Sequence, residues 1–376
     1  MPTPAAVNPY HYGTPVKDEY FAGRHEELAA LVSRLRNGIN VVVVSPRRYG
    51  KTSLLLRAER ELETDHAATL HVNVLRCRDL GMLAGRMATA AFRLRGAWHR
   101  AKQAVPDFLR RVRGIPSITF ESDLPKFSFE PRLADADADG VIADVYAILA
   151  EAAAERPAAL MLDEFQAIVD LGPHLPALLK SLADEHPNVA LVLAGSRKHL
   201  MDSLVSAPGA ALYGMAERLA LGPLPEDVMV TYLRERATTG RKPMTDPVAR
   251  TIIASAGPVP NDIQRLAYEA YDAATKVIDA AAVSKGLDRA VAHEAATYAE
   301  RYERLAPGQR DVVVALAENP GTEPYSAAFV ARTGLANASS VRKAVSALVD
   351  VEIVIDREGA LVVADPFFAA WLRAAS

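Results

Sequence analysis

The chain has 376 residues, 50% of them hydrophobic and 24% charged, with a formal net charge of −3. That length supports two or three domains. The slight negative charge excludes a global attraction to nucleic acid or anionic membrane, so any such contact must come from a local patch. The single cysteine, Cys77, excludes an internal disulfide and fits a reducing cytosol; after the strand "ATLHVNV" it reads as a small buried residue. The opening "MPTPAAVNPYHYGTP" has neither the basic start nor the apolar core of a signal peptide. No uninterrupted apolar run reaches membrane-spanning length, so a cytoplasmic protein without membrane contact is expected.

Apolar, β-branched runs alternate with helical patterns over the first 220 or so residues. Strands are expected at Ile39–Val44, Thr69–Val74, Ala158–Leu162, Val189–Ala194 and Arg218–Leu221. Continuous apolar runs of this length suit strands buried on both faces, and helices between them imply an α/β fold with a parallel sheet covered on both sides. The first strand runs straight into "SPRRYGKTS": Pro46, Arg47, Arg48, Tyr49, Gly50, Lys51, Thr52 and Ser53. A buried strand ending in a turn that opens a helix points several backbone N–H groups at one spot, where phosphate is stabilised. Lys51 is placed to reach the β- and γ-phosphates, and the Thr52 hydroxyl to ligate Mg²⁺.

Arg86 to Arg113 carries eight Lys or Arg against one acid, Asp107, and breaks the alternation. Residues 96–140 are therefore expected to be an insertion, with "SITF" and "KFSF" pairing as a short hairpin. "DADADG" (Asp135–Gly140) copies half of a calcium loop, but Tyr146 stands where the bidentate Glu belongs. A helix start with acids complementing the dipole is expected instead. "AALMLDEFQ" then ends an apolar strand in two acids. Asp163 is expected to hold the metal, largely through water, and Glu164 to polarise an attacking water as general base. The strand "ALVLAGSRKHLM" ends in Ser196 and Arg197, beside the phosphate site in a doubly wound sheet.

"GPLPED" punctuates the chain. Several helices follow to Leu305, broken at "TGRKPMTDP" and "GPVPND"; "HEAAT" at His293 lacks the second His of a zinc site. From Pro307, two helices, a "TGLANAS" turn, a third helix through Leu348 and two short strands around "DREG" spell a winged helix. Domains are thus expected at 1–222, 223–304 and 305–376. In the last, "NASSVRKAVSAL" is the recognition helix, with Arg342 and Lys343 as nucleic-acid candidates and Ser339 and Ser340 beside them. Nearby acids (Asp350, Glu352, Asp356, Glu358) keep a protein-docking role open.

Six motifs in order, "FAGRHEELAALVSRL", "SPRRYGKTSLL", "LMLDEFQ", "LAGSRKHLM", "GPVPNDIQRL" and "DPFFAAWLR", make the chain resemble the archaeal-type ATPases of the signal-transduction branch of AAA+ P-loop ATPases. The resemblance implies a P-loop core, a helical lid and a C-terminal winged helix, with ATP and Mg²⁺ as ligands. It places Phe21, Gly23 and Arg24 near the adenine, has Pro260 close over it, and matches Arg197 to a sensor position. Two departures stand out. Ser45 replaces the first P-loop Gly, which would cost roughly 1–2 kcal/mol if that position needed φ > 0. "GPVP" replaces the usual Gly-Gly-x-Pro of the lid. Arg47, Arg48 and Arg218 are all candidates for an arginine finger. The expected function is ATP hydrolysis driving a conformational switch. The alternatives are a DNA-binding regulator with ATP as effector, and a nucleotide-dependent scaffold with little turnover. Partners are ATP and either double-stranded DNA through the winged helix or a protein, including another copy of the chain.

Overall fold

The computed structural model describes residues 7–16, 18–92, 94, 118–121, 124–127, 135–357 and 359–375. Two compact units emerge: Pro15–Pro223, and Leu224 onward together with the N-terminal residues up to Thr14.

The first unit is an α/β layer structure. Its sheet contains β1 (Val41–Val44), β2 (Ala68–Asn73), β5 (Ala158–Asp163), β6 (Val189–Gly195) and β7 (Glu217–Ala220). All neighbours pair in parallel, in the order β2-β5-β6-β1-β7. Successive side chains alternate between two cores. Val42, Val44, Leu160, Leu162, Leu191 and Leu193 pack with α3 (Leu80–Phe92), α4 (Asp135–Ala153) and α5 (Leu175–Glu185). Val41, Val43, Ala159, Met161, Ala190 and Val192 face α1 (His25–Arg36) and α2 (Lys51–Glu63). The expected doubly covered parallel sheet is therefore present.

Strand ends shift by one or two residues from the expectation. Ile39 is exposed and lies outside β1, and Val74 turns into a 3-10 segment, Val74–Arg76. The hairpin pairs β3 (Ile118–Glu121) with β4 (Leu124–Phe127), Ile118 opposite Phe127. Its second strand thus starts two residues before the expected "KFSF", because a connection of two residues dictates the pairing. The acidic 135–140 stretch forms the first turns of α4, as the dipole argument expects. Most of the basic 86–113 segment lies outside the described residues; Arg86 belongs to α3.

The second unit is helical: α7 (Glu226–Thr239), α8 (Asp246–Ala256), α9 (Pro260–Ala273) and α10 (Ala280–Glu303). Between α8 and α9, Gly257 takes φ 71, ψ −171, a region essentially reserved for glycine. One glycine therefore makes the turn in "GPVP", which stands where the family usually has Gly-Gly-x-Pro. A further break at 274–279 was not anticipated; there Asp279 accepts from the Ala282 N–H at 2.8 Å and starts α10. Next come α11 (Pro307–Glu318), α12 (Ala327–Thr333), α13 (Ala338–Asp350), the antiparallel pair β8 (Val354–Arg357) and β9 (Ala360–Val363), and α14 (Pro366–Ala375). This is a winged helix. The Arg265 guanidinium of α9 lies over the Phe367 ring of α14, 4.6 Å from its centroid.

The N-terminal segment belongs to this helical unit rather than to the sheet with which the sequence groups it. Tyr10 is buried and donates to the Leu233 carbonyl at 2.6 Å, Asn8 donates to the Tyr268 carbonyl, and the Gly13 N–H donates to Asn261. Among the described residues, no helix is long and apolar enough to cross a membrane.

Candidate functional site

β1 ends at Val44, and Ser45 to Gly50 carry the chain into α2. Ser45 is buried without a left-handed backbone, so its replacement of glycine strains nothing. The left-handed positions are Arg48 (φ 69) and Gly50 (φ 90). A Cβ at Gly50 would meet nothing within 4 Å, so the glycine is required by conformation and not by crowding. Gly50 supplies no side-chain cap to α2, which leaves the helix's first N–H groups available to an anion. Pro46, Arg47 and Arg48 are exposed around the turn, while Tyr49 and Ser53 are buried beneath it.

Four predicted side chains converge at the carboxyl end of the sheet. Lys51, only 6% exposed, places Nζ 3.1 Å from Oδ1 of Asp163 and 2.9 Å from Oε1 of Glu164. Thr52 donates to Oδ2 of Asp163 at 2.6 Å. Asp163 is wholly buried, and its Oδ1 also accepts the Glu164 N–H at 2.9 Å. β1 and β5 are not neighbours, since β6 lies between them. Side chains from the start of α2 and from the end of β5 therefore meet although their strands are not neighbours. The Thr52 hydroxyl and the buried Asp163 carboxylate are hard oxygen donors, and no set of three or more metal-binding His, Cys, Asp or Glu occurs among the described residues. Such a pair suits Mg²⁺, which usually keeps several waters and shares phosphate oxygens.

Glu164 has a left-handed backbone, φ 53 and ψ 42. That conformation is uncommon for a non-glycine residue, costs of order 1–3 kcal/mol, and persists only where neighbours enforce it. They do so here. Oε1 meets Lys51, while Oε2 accepts from Gln166 Nε2 at 2.6 Å and from the Ser196 hydroxyl at 2.9 Å. Burial pushes the carboxyl up, but the Lys51 charge and the hydrogen bonds from Gln166, Lys51 and Ser196 outweigh it and hold Glu164 below the usual range. Glu164 is thus ionised at neutral pH.

Other predicted residues take separate places. Arg197 is exposed at the start of α6 (Lys198–Val205), and its neighbour Ser196 is the side chain that touches Glu164. Arg218 pairs with Asp202 at 2.9 Å on the sheet's edge strand. Phe21 and Gly23 are partly buried before α1; Arg24 is buried, paired with Glu27 and donating to the Gly222 carbonyl. Pro260 is the first residue of α9 in the helical unit. In α13, Val341, Ala344, Val345 and Leu348 face inward, leaving Arg342 and Lys343 exposed. Arg342 is stacked on the Tyr325 ring at 5.0 Å, a contact the motif did not reveal. Asn337 caps the helix through the Ser340 N–H at 2.9 Å. Sequence reasoning gave Gln166 no role, although it closes the "DEFQ" motif.

Residues 296–374 match a family model described as a probable winged helix domain. No protein of curated function matches the chain. Among solved structures, 95% of the chain aligns with 97% of the Walker-type ATPase PABY2304 of Pyrococcus abyssi, at 18% identity and a TM-score of 0.65. More distant is the Aeropyrum pernix ORC1 protein in complex with DNA, at 15% identity over 95% of this chain and 94% of that one, with a TM-score of 0.49. The Thermotoga maritima RuvB Holliday junction branch migration motor is also similar, at 15% identity over 92% and 93%, with a TM-score of 0.45. The P. abyssi likeness shows that the two chains share a fold, in agreement with the fold that the motifs imply.

Proposed function

We propose that the chain binds ATP with Mg²⁺ and hydrolyses it to drive a conformational switch of a three-part protein made of a P-loop core, a helical lid and a winged helix. The observation that carries this reading is the convergence of Lys51 and Thr52, at the start of the helix that follows β1, with Asp163 and Glu164, at the end of β5, which is not a neighbour of β1. Lys51 leaves the two carboxylates for the β- and γ-phosphates, which the N–H groups at the start of α2 also hold. Thr52 and Asp163 would hold Mg²⁺, which when bound would supply Lewis-acid stabilisation of phosphate charge. Glu164 takes a proton from the water that attacks the γ-phosphorus; the bond to the β-phosphate oxygen breaks, and ADP and inorganic phosphate result. Phosphate release from ATP, measured for the wild type with and without Mg²⁺, tests the reading directly. No Mg²⁺-dependent release would defeat it.

Phe21, Gly23, Arg24 and Pro260 are assigned to adenine recognition through the family resemblance. Adding ATP and Mg²⁺ is expected to slow amide hydrogen exchange over 257–266. Equal exchange with and without nucleotide would mean that this segment takes no part in binding.

A second reading makes the protein a DNA-associated ATPase, and the winged-helix match with its exposed Arg342 and Lys343 favours it. Each phosphate neutralised adds about −0.9 to the slope of log K against log salt. Changing both residues to Ala should flatten the slope by up to about 2 and weaken binding to most duplexes alike, as a salt-titrated binding assay would show. An unchanged slope and affinity would take α13 out of DNA binding and favour a protein-docking winged helix.

A further inference from the structure

Gln166 is 6% exposed and lies in the 3-10 segment Phe165–Asp170 that follows the acid pair. Its amide works in two directions. Nε2 donates to Oε2 of Glu164 at 2.6 Å, and Oε1 accepts the Ser196 N–H at 3.3 Å, just beyond the end of β6. The Ser196 hydroxyl also donates to Oε2 of Glu164. Gly195 makes room for this bridge: a Cβ there would stand 2.6 Å from Gln166 Oε1 and 2.3 Å from Met201 Sδ. The amide donates to the carboxylate through Nε2 and accepts the backbone N–H through Oε1, so an apolar replacement loses both contacts and an acidic one loses the donation.

We propose that Gln166 is a positioning residue for Glu164, clamping the carboxylate through Oε2 to the end of strand β6 so that Oε1 is the oxygen that works on water. The inference rests on the ATPase reading above. Oε2 already accepts from two donors, Gln166 and Ser196, whereas Oε1 accepts from Lys51, so Oε1 is the oxygen with room for a water once that cation leaves. Lys51 is the donor that phosphate draws away, and it sits on Oε1. Gln166 is neutral and is not drawn to phosphate as a cation is, so it stays on Oε2, with a further contact from Nε2 to the Ser196 hydroxyl at 3.4 Å, and orients the carboxylate while Oε1 is released. The charged groups facing Glu164 are Lys51 from α2 and Asp163 from β5; the groups from β6 and the 3-10 segment, Ser196 and Gln166, are neutral.

The test uses the full chain carrying Gln166→Met, which keeps the length of the side chain and removes both polar atoms. Its ATP affinity by calorimetry should stay within a few-fold of wild type. Its kcat should fall by roughly 10- to 100-fold, the scale of a misplaced catalytic group. The acid limb of the kcat profile should move to higher pH, because a hydrogen bond favouring the ionised form is lost. Gln166→Asn, one methylene shorter, serves if the Met variant fails to fold, with the same expectations. A kcat and acid limb equal to wild type would overturn the proposal, and so would loss of ATP binding. The carboxyl ¹³C shift of Glu164 at neutral pH, assigned through Glu164→Gln, reads the clamp without turnover. If the wild type hydrolyses no ATP, the ATPase reading fails separately. The clamp then stands on the Glu164 carboxyl ¹³C shift at neutral pH, which should change in Gln166→Met; a shift equal to wild type would overturn it.

Discussion

Replacing Glu164 by Gln is expected to leave ATP binding intact and to lower turnover by roughly 10²–10⁴, the contribution of a well-placed general base. The substitution keeps the shape of the side chain but removes its charge. Three donors face the carboxylate: Lys51 on one oxygen, Gln166 and Ser196 on the other. An amide at position 164 offers a carbonyl to one side only and turns its NH₂ toward the remaining donors. Phosphate affinity does not rest on those contacts, since Lys51 and the first N–H groups of α2 supply it. Calorimetric titration with ATP and single-turnover hydrolysis separate the two quantities. Turnover equal to wild type would exclude Glu164 as the base and leave the acid pair to Asp163 and its metal.

Lys51→Ala is expected to abolish ATP binding and also to destabilise the protein before any ligand is added. Asp163 is wholly buried and depends on Lys51 as its only charged partner in an ion pair among the described residues. Removing one member of a buried pair leaves an uncompensated charge, at a cost of about 3–5 kcal/mol. Thr52 and the Glu164 N–H still bond Asp163 and moderate that loss. Glu164 would lose its cation as well, at a carboxylate that is partly exposed and better able to tolerate it. The variant should therefore melt earlier than wild type without nucleotide and show no protection on adding ATP and Mg²⁺. Wild-type ATP affinity in calorimetry would defeat the P-loop reading whatever the melting temperature.

The two predictions draw on features of different legibility. The apolar run ending at Val44 and the Gly50-Lys51-Thr52 sequence mark a phosphate turn, and the run ending in Asp163-Glu164 marks the acids. Both are local patterns, which is why they could be found without a structure. The geometry that makes Glu164 an ionised, oriented group is not local. It depends on β6 lying between β1 and β5, which brings Ser196 to an acid 32 positions earlier in the chain. Arg197, adjacent in sequence, offers more charge and drew the sensor assignment. Its side chain is exposed, whereas that of Ser196 reaches Glu164.

By itself the sequence determined the parallel sheet, the phosphate turn, the acid pair and the winged helix. Each is written in a window of a dozen residues or so as hydrophobic period, turn chemistry and charge. Strand order, the left-handed backbones of Arg48 and Glu164, the stacking of Arg342 on Tyr325 and the placement of the N-terminal segment on the helical unit were decided only by the tertiary structure. Those features arise from contacts between residues far apart in the chain. The segment "NPYHYGT" shows the reason. Nothing in its composition says whether Tyr10 will be buried, yet Leu233, 223 positions away, supplies the carbonyl that its hydroxyl needs. A buried hydroxyl stays buried only where such a partner is found, and the fold alone brings the two together.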